Sequence, residues 1–116
     1  MKIIHYTETA AKKYSGSEFQ GVTGRVVIGQ ADGARNFWMR VFELAPGGYS
    51  AEDSHNWEHE VFVYSGKGSI FNNGKWVSVQ SGSVIFIPPN EKHQLKNTGN
   101  EPFIFVCLIP SGHPEI

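Results

Sequence analysis

Short apolar runs alternate with turn-forming residues along most of the chain. The runs are rich in valine, isoleucine and phenylalanine, and glycine, proline or asparagine separates them at close intervals. This pattern is typical of an all-β sandwich or barrel. The predicted strands are Val22 to Ile28, Phe37 to Leu44, Glu60 to Tyr64, Ser69 to Phe71, Lys75 to Val79, Ser83 to Ile87, Gln94 to Lys96 and Phe103 to Ile109.

Other segments give different signals. Asn72-Asn73-Gly74 predicts a tight hairpin, because asparagine and glycine accept the positive φ that such turns require. Glu8 to Tyr14 contains two alanines and predicts a short helix, with Thr7 as its cap. The residues up to about Gln20 and those after Pro110 are expected to be arms. Because no linker or repeat interrupts the 116 residues, we expect one domain over 1–116.

Three predicted strand segments are apolar at every position, so both of their faces need cover. They are Val61 to Tyr64, Val84 to Ile87 and Phe103 to Ile109. Successive side chains of a strand point to opposite faces, and a small closed barrel covers only the inner one. We therefore expect the outer faces to meet an arm of the chain or a second copy, which is the physical reason for predicting a homodimer.

Charge and cysteine content limit the classes of partner. The formal net charge is −1, which gives no field that would attract nucleic acid or an anionic membrane. No run of eighteen apolar residues predicts a membrane span, and the N-terminal residues have no apolar core of a signal peptide. The single cysteine, Cys107, excludes an internal disulfide and fits a reducing compartment. These features predict a soluble, cytoplasmic protein that binds neither nucleic acid nor membrane.

Polar side chains able to bind a metal are concentrated just before the strand that begins at Glu60. If Asp53 and His55 lie in an extended segment, they share one face of it. His59 shares a face with the inward side chains of the next strand, whereas Glu58 and Glu60 point the other way. A turn between the two segments would let Asp53, His55 and His59 converge.

The second half of the chain offers a further ligand. A strand ends at Pro88-Pro89, and His93 stands at the start of the next strand. Together with Asp53, His55 and His59, this histidine completes a candidate metal site. Two alternatives stay open: the histidines could be ordinary surface and core residues, and Asp53 could be a turn residue that caps its own backbone.

The spacing of these residues resembles the two motifs of the cupin superfamily. In the first motif a glycine is followed, after five residues, by His-x-His, then by Glu and a final Gly; residues 47–66 keep this spacing, with Asp53 at the first His and His59 at the Glu. In the second motif, residues 82–97, Asn90 replaces the turn glycine and His93 keeps its place. Asparagine tolerates the left-handed conformation, so a turn with positive φ is expected at Asn90. The chain is similar to small single-domain, metal-binding cupins of the cupin 2 conserved-barrel type. The resemblance implies a jelly-roll β-barrel, or double-stranded β-helix, with a short N-terminal arm.

The resemblance also implies a bound divalent transition metal. Imidazole ligands suit Mn, Fe, Co, Ni or Zn and disfavour Ca and Mg, which prefer oxygen. We expect His55, His59 and His93 to bind the metal directly. Because aspartate is shorter than histidine, Asp53 is expected to be a long fourth ligand or a water-mediated catalytic base.

The implied function is that of a small metalloenzyme, such as an isomerase or a lyase. Its metal would act as a Lewis acid on a small oxygenated substrate, carbonyl-containing or similar to a sugar acid. An Fe(II) dioxygenase and a non-catalytic cupin that binds a small ligand are alternatives that stay open. By proximity along the chain, Tyr49, Trp57, Phe86 and Asn97 are candidates for residues that line the substrate site.

Overall fold

The computed structural model describes residues 1–14 and 16–116, which form one curled, antiparallel, nine-stranded sheet. The hydrogen-bonded order is β6-β5-β8-β3-β9-β4-β7, and β2 also pairs with β3 and carries β1 at its other edge. The strands are β1 (Lys12–Tyr14), β2 (Gln20–Ile28), β3 (Phe37–Tyr49), β4 (His59–Ser65), β5 (Lys67–Asn72), β6 (Lys75–Gln80), β7 (Val84–Ile87), β8 (Leu95–Asn97) and β9 (Phe103–Pro110). This architecture confirms the predicted all-β jelly roll.

Helical structure is confined to two short 3-10 turns in the part of the chain that the structure describes. They span Tyr6–Glu8 and Gln30–Asp32. No helix among the described residues is long and apolar enough to cross a membrane.

Alternation along the central strands divides the sheet into a buried inner face and a more exposed outer face. On β9, Phe103, Phe105, Cys107 and Ile109 are buried, whereas the residues between them are only partly buried. The inward residues of β4 pack into the same core, and the first of them is His59. The core and the candidate metal site therefore share one row of side chains.

The outer face of β4 and β7 carries large apolar side chains that this chain leaves uncovered. Val84 and Phe86 are 79% and 59% exposed, and Phe62 and Tyr64 on β4 are about half exposed. Of the strands that the sequence shows as apolar on both faces, β4 and β7 thus have exposed outer faces within one copy of the chain, whereas the outer face of β9 is partly buried.

The prediction of a helix over Glu8 to Tyr14 is wrong. Its last residues form β1, which pairs with β2 through Lys12 opposite Gly24 and Tyr14 opposite Val22. The preceding turn is capped by His5 and not by Thr7, since Nδ1 of His5 accepts from the Thr7 amide. A seven-residue helix is marginal by itself, whereas pairing with the edge of β2 satisfies the backbone and buries part of Tyr14.

Two predicted turn features are confirmed. Asn73 and Gly74 have φ of 49° and 78° and join β5 to β6. Asn90, at the position of the second motif's turn glycine, has φ of 66°. The strand predicted to end at Leu44 continues to Tyr49, past Gly47 with φ of 76°.

Gly66, between β4 and β5, should be intolerant of a side chain. Its φ is 89°, and an added Cβ would collide with the carbonyl oxygen of Pro102. Gly74 has a similar φ of 78° but open space around it. We expect Gly74→Ala to cost about 1 kcal/mol from backbone strain alone, and Gly66→Ala roughly 3 kcal/mol because the collision adds to it. Urea unfolding of both variants measures the difference, and equal costs would show that the Pro102 segment yields without penalty.

Glu60 on the outer face of β4 should make stability depend on pH. Burial raises the pKa of Glu60 to about 7, and the hydrogen bond and the charge of Glu58 act in the same direction. An acid with a raised pKa binds more protons in the folded state, so the free energy of unfolding should fall as the pH rises from about 4.5 to 7. Glu60→Gln should remove this fall.

Urea unfolding between pH 5 and 8, with chelator present, measures this dependence. Glu58→Gln is the matched control. It should only reduce the fall, because burial, the largest cause of the raised pKa, remains. A Glu60→Gln variant with the wild-type pH dependence would refute the assignment.

Candidate metal centre

Hydrogen bonds between backbone atoms hold the two motif segments together. Asp53 and His93 form an isolated antiparallel bridge, in which each amide donates to the other's carbonyl over 2.9 Å. The amide of Asn90 donates to the carbonyl of His55 over 2.6 Å, and the hydroxyl of Ser54 donates to the carbonyl of Asn90 over 3.0 Å. The left-handed turn at Asn90 thus presents its amide to the segment that carries His55.

Three histidines meet at this junction. One ligand nitrogen from each of His55, His59 and His93 lies within 4.8 Å of the others. The ring centroids are 4.6 to 5.0 Å apart, and each pair of rings is close to perpendicular. His59 and His93 are buried, and His55 is partly buried. Imidazoles that surround a common point edge-on present their lone pairs to a single ion.

In the rings of His55 and His93, a backbone carbonyl beside Nδ1 determines that Nε2 is the free nitrogen. Nδ1 of His55 lies 2.9 Å from the carbonyl oxygen of Trp57, and Nδ1 of His93 lies 3.0 Å from that of Glu91. A carbonyl only accepts, so Nδ1 of a neutral ring carries the proton and Nε2 keeps its lone pair. This is the arrangement that orients histidine ligands in metal sites.

His59 has a different environment at Nδ1. The Arg40 guanidinium lies 3.3 Å from this atom, and Sγ of Cys107 lies 3.4 Å from it. Nε2 of His59 is 2.8 Å from Nε2 of His55. Burial, followed by the charges of Arg40 and the other histidines, lowers the pKa of His59 to about 3. Its imidazole is therefore neutral at physiological pH, as a metal ligand must be.

The pKa of His55 is also lowered from its usual value. Burial is the largest cause that lowers its pKa, and the charge of His93 adds to it. Trp57 stacks on this ring at a centroid distance of 3.9 Å and an interplanar angle of 5°. His113 stacks on the other face of the tryptophan at 4.6 Å. Trp57 therefore acts as a packing residue that holds the His55 ring in place.

Asp53 lies at the rim of the centre. It lines the same cavity as the histidines but does not belong to the group of ligand atoms within 4.8 Å. Its Oδ1 accepts from the amide of Ser54 over 2.8 Å, and the side chain is exposed. This hydrogen bond matches the alternative role of a turn residue, and the role of Asp53 at a metal stays a prediction.

The histidines open into a cavity of about 370 Å³ inside the barrel. Most of its wall is apolar. The inward rows of β3, β4 and β9 contribute to it together with residues of β1, β2, β7 and β8, and the C-terminal residues Pro114 and Ile116 complete it. Of the four candidates for substrate contacts only Trp57 lines this cavity. Phe86 lies on the outer face, and the buried Asn97 donates to the carbonyls of Leu44 and Glu101.

Four polar residues of the wall are not among the candidates predicted from the sequence: Tyr14, Arg40, Ser50 and Cys107. Arg40 could have been found, because it shares strand parity with Phe42 and Leu44 and so points inward with them. Tyr14 was hidden by the wrong helix prediction. Cys107 is buried as expected of a small apolar residue, and burial raises the pKa of its thiol.

The donor set fits a divalent transition metal. Three imidazoles, two of them with Nδ1 on a carbonyl and Nε2 free, suit Mn, Fe, Co, Ni or Zn and do not suit the oxygen-preferring Ca or Mg. Three protein ligands would leave coordination positions for water or substrate, as in catalytic sites.

Comparisons with known proteins agree with this geometry. The polyketide cyclase RemF from Streptomyces resistomycificus superposes with a TM-score of 0.88 at 30% sequence identity, over 95% of this chain and 79% of the cyclase chain. A glucose-6-phosphate isomerase from Thermococcus onnurineus is 39% identical over 59 residues, which are 45% of this chain and 31% of the isomerase. A 1-methylthio-D-xylulose 5-phosphate methylsulfurylase from Rhodospirillum rubrum is 28% identical over 100 residues, 86% of this chain and 63% of that protein.

The chain thus spans about a third of the length of the isomerase it matches. The family profile described as "Cupin domain" matches residues 40–109, more than half of the chain. This match includes the three histidines and most of the sheet that holds them. The chain therefore belongs to the cupin family and is a cupin of the cupin 2 conserved-barrel type.

Proposed function

We propose that this cupin is a small metalloenzyme that acts on an oxygenated small molecule, carbonyl-containing or similar to a sugar acid. The observation that carries the proposal is the convergence of His55, His59 and His93 on one wall of a cavity of about 370 Å³. A divalent Mn, Fe, Co, Ni or Zn ion held there would supply Lewis-acid polarisation of a substrate oxygen.

The chain's own residues supply the remaining functions. The carbonyls of Trp57 and Glu91 orient two of the imidazoles, and the apolar wall of the cavity limits the access of water. Asp53 lines the cavity with an exposed carboxylate, and we assign it the role of a long fourth ligand or of a base that accepts a proton from the substrate.

The names of the relatives support a substrate rich in oxygen. They describe a glucose-6-phosphate isomerase, a methylsulfurylase of a xylulose phosphate and a polyketide cyclase. The first two act on sugar phosphates by name. Because the chain covers only part of each curated relative, we take from them only a substrate rich in oxygen, and neither the phosphate group nor the reaction.

We further propose a cytoplasmic homodimer. The single cysteine is a free, buried thiol, which suits a reducing compartment. The apolar outer face of β4 and β7, with Phe62, Tyr64, Val84 and Phe86, provides the surface for a second copy. A symmetric contact would place this face against itself.

Metal content should depend on the histidines and activity on Asp53. His55→Ala and His93→Ala should each lose most of the bound metal, because each removes one of three imidazole ligands. Asp53→Ala should keep most of the metal and lose most of the turnover. Elemental analysis of the purified variants measures the first effect, and a screen of carbonyl compounds that also follows oxygen consumption measures the second.

His5→Ala is the matched control, since His5 lies on the exposed N-terminal turn away from the cavity. Full metal occupancy in both His55→Ala and His93→Ala would refute the site. Loss of metal from Asp53→Ala as complete as that from His55→Ala would make Asp53 an ordinary ligand and end its assignment as a base. Substrate-dependent oxygen consumption, with both oxygen atoms of labelled O2 recovered in the product, would identify the reaction as that of a dioxygenase.

The dimer should dissociate when its apolar face is charged. We expect a dimer mass by light scattering at micromolar concentration, and a monomer for the double variant Phe62→Glu, Phe86→Glu, because burying the carboxylates would be costly. Phe37→Glu is the control, as Phe37 is exposed at the start of β3, and β9 separates that strand from β4. A wild-type monomer mass at millimolar concentration would contradict the dimer.

A further inference from the structure

Arg40 is a buried cation beside the metal centre with few partners for its charge. Its side chain is 7% exposed, and it lies on the inward row of β3 that faces the cavity. One terminal nitrogen lies 3.3 Å from Nδ1 of His59 and 3.0 Å from Sγ of Cys107. The other makes a long contact of 3.4 Å to the carbonyl of Glu115. Nε has no partner among the described residues.

Within the described part of the chain, no carboxylate lies within ion-pair distance of Arg40. The two ion pairs there are Lys2–Asp32 and Lys92–Glu52. The guanidinium stays charged at any physiological pH, and a buried charge without a counter-charge is costly. Cys107 does not supply the counter-charge, because burial raises the pKa of its thiol. The guanidinium is thus a donor group held in place for an anion.

A second buried polar atom without a partner belongs to the wall of the same cavity. It is Oη of Tyr14, contributed by β1. Arg40 Nε and Tyr14 Oη are the two buried side-chain polar atoms for which the described residues supply no hydrogen bond. Native interiors satisfy nearly all such groups with protein atoms, ordered water or a ligand, so the two atoms mark positions where the occupant of this cavity can form hydrogen bonds.

We propose that Arg40 binds the carboxylate of the small-molecule ligand that occupies this cavity, and that Tyr14 donates to a second oxygen of the same ligand. The proposal rests on the proposed function in that the ligand is the substrate, or an analogue, of the same site. A guanidinium offers two parallel N–H groups that match a planar carboxylate. Arg40 is in this sense a residue that determines specificity for an acid over its neutral analogue.

The charge of the wall favours a carboxylate over a phosphate. Among the residues that line the cavity Arg40 is the one permanent cation, and no lysine accompanies it. One guanidinium neutralises one negative charge, whereas a phosphate monoester carries close to two at neutral pH. In the metal-free protein the rest of the wall supplies no further permanent positive charge, and Asp53 adds a carboxylate, so a second negative charge on the ligand would lack compensation.

Calorimetric titration of chelator-treated protein tests the proposal without any contribution from a metal. The probes are carboxylates of increasing size from acetate to benzoate, the neutral amide of each, and inorganic phosphate. We expect at least one carboxylate to bind about tenfold or more tightly than its amide, as a charge-assisted hydrogen bond requires. Arg40→Met should abolish this preference, Arg40→Lys should keep part of it, and Tyr14→Phe should weaken binding of acid and amide alike.

Arg25→Met is the matched control and should bind as the wild type does, since Arg25 lies on β2 outside the cavity and donates to the carbonyl of Thr9. Thermal unfolding verifies that Arg40→Met folds, and removal of an uncompensated buried charge should leave its stability undiminished. Equal affinity for acid and amide throughout the series, or a preference that survives in Arg40→Met, would overturn the proposal. Phosphate binding tighter than any carboxylate and lost in Arg40→Met would overturn the assignment of a carboxylate.

His55→Ala separates this inference from the proposed function. The variant lacks a metal ligand but retains Arg40, so it should keep the preference for carboxylates. If the protein proves to bind no metal and the preference persists, the proposed metalloenzyme fails while the role of Arg40 stands.

Discussion

The backbone bridge between Asp53 and His93 is the contact on which the metal centre depends. The segments that carry His55 and His93 are far apart in sequence and lie outside the named strands, so the sheet alone would not bring their rings together. Two reciprocal hydrogen bonds and the donation from Asn90 to His55 join them. Because these bonds use the backbone, the register of the two segments does not require particular side chains at their ends.

A consequence is that Asp53 has a structural function whatever its side chain does. Its amide and carbonyl form the bridge, and its carboxylate accepts from the amide of Ser54. The position therefore combines a backbone role, which any residue except proline could fill, with a carboxylate exposed at the rim of the cavity. Metal binding and proton transfer, if they occur there, would act through the second feature alone.

Strand periodicity predicted much of the fold and the histidine cluster. His59 was placed correctly because it alternates with Val61 and Val63 on β4, and Asn90 because asparagine tolerates a left-handed turn. The N-terminal segment was misjudged as helical, since its strand exists only by pairing with β2, a tertiary contact that local sequence does not show. Three of the four residues predicted to line the substrate site do not line the cavity. They were chosen by proximity along the chain, which does not show the side of the sheet that a residue such as Phe86 faces.

The alternation on β4 has a consequence for how the chain avoids misfolding. His59, Val61 and Val63 point inward, whereas Glu60, Phe62 and Tyr64 point outward. A slip of one residue against β7 or β9 would exchange the two rows, so that a glutamate would enter the apolar core and a histidine would be lost to solvent. The two rows have similar apolar bulk, and hydrophobicity alone distinguishes them poorly. The polar residue at the start of each row therefore marks the correct register of this strand.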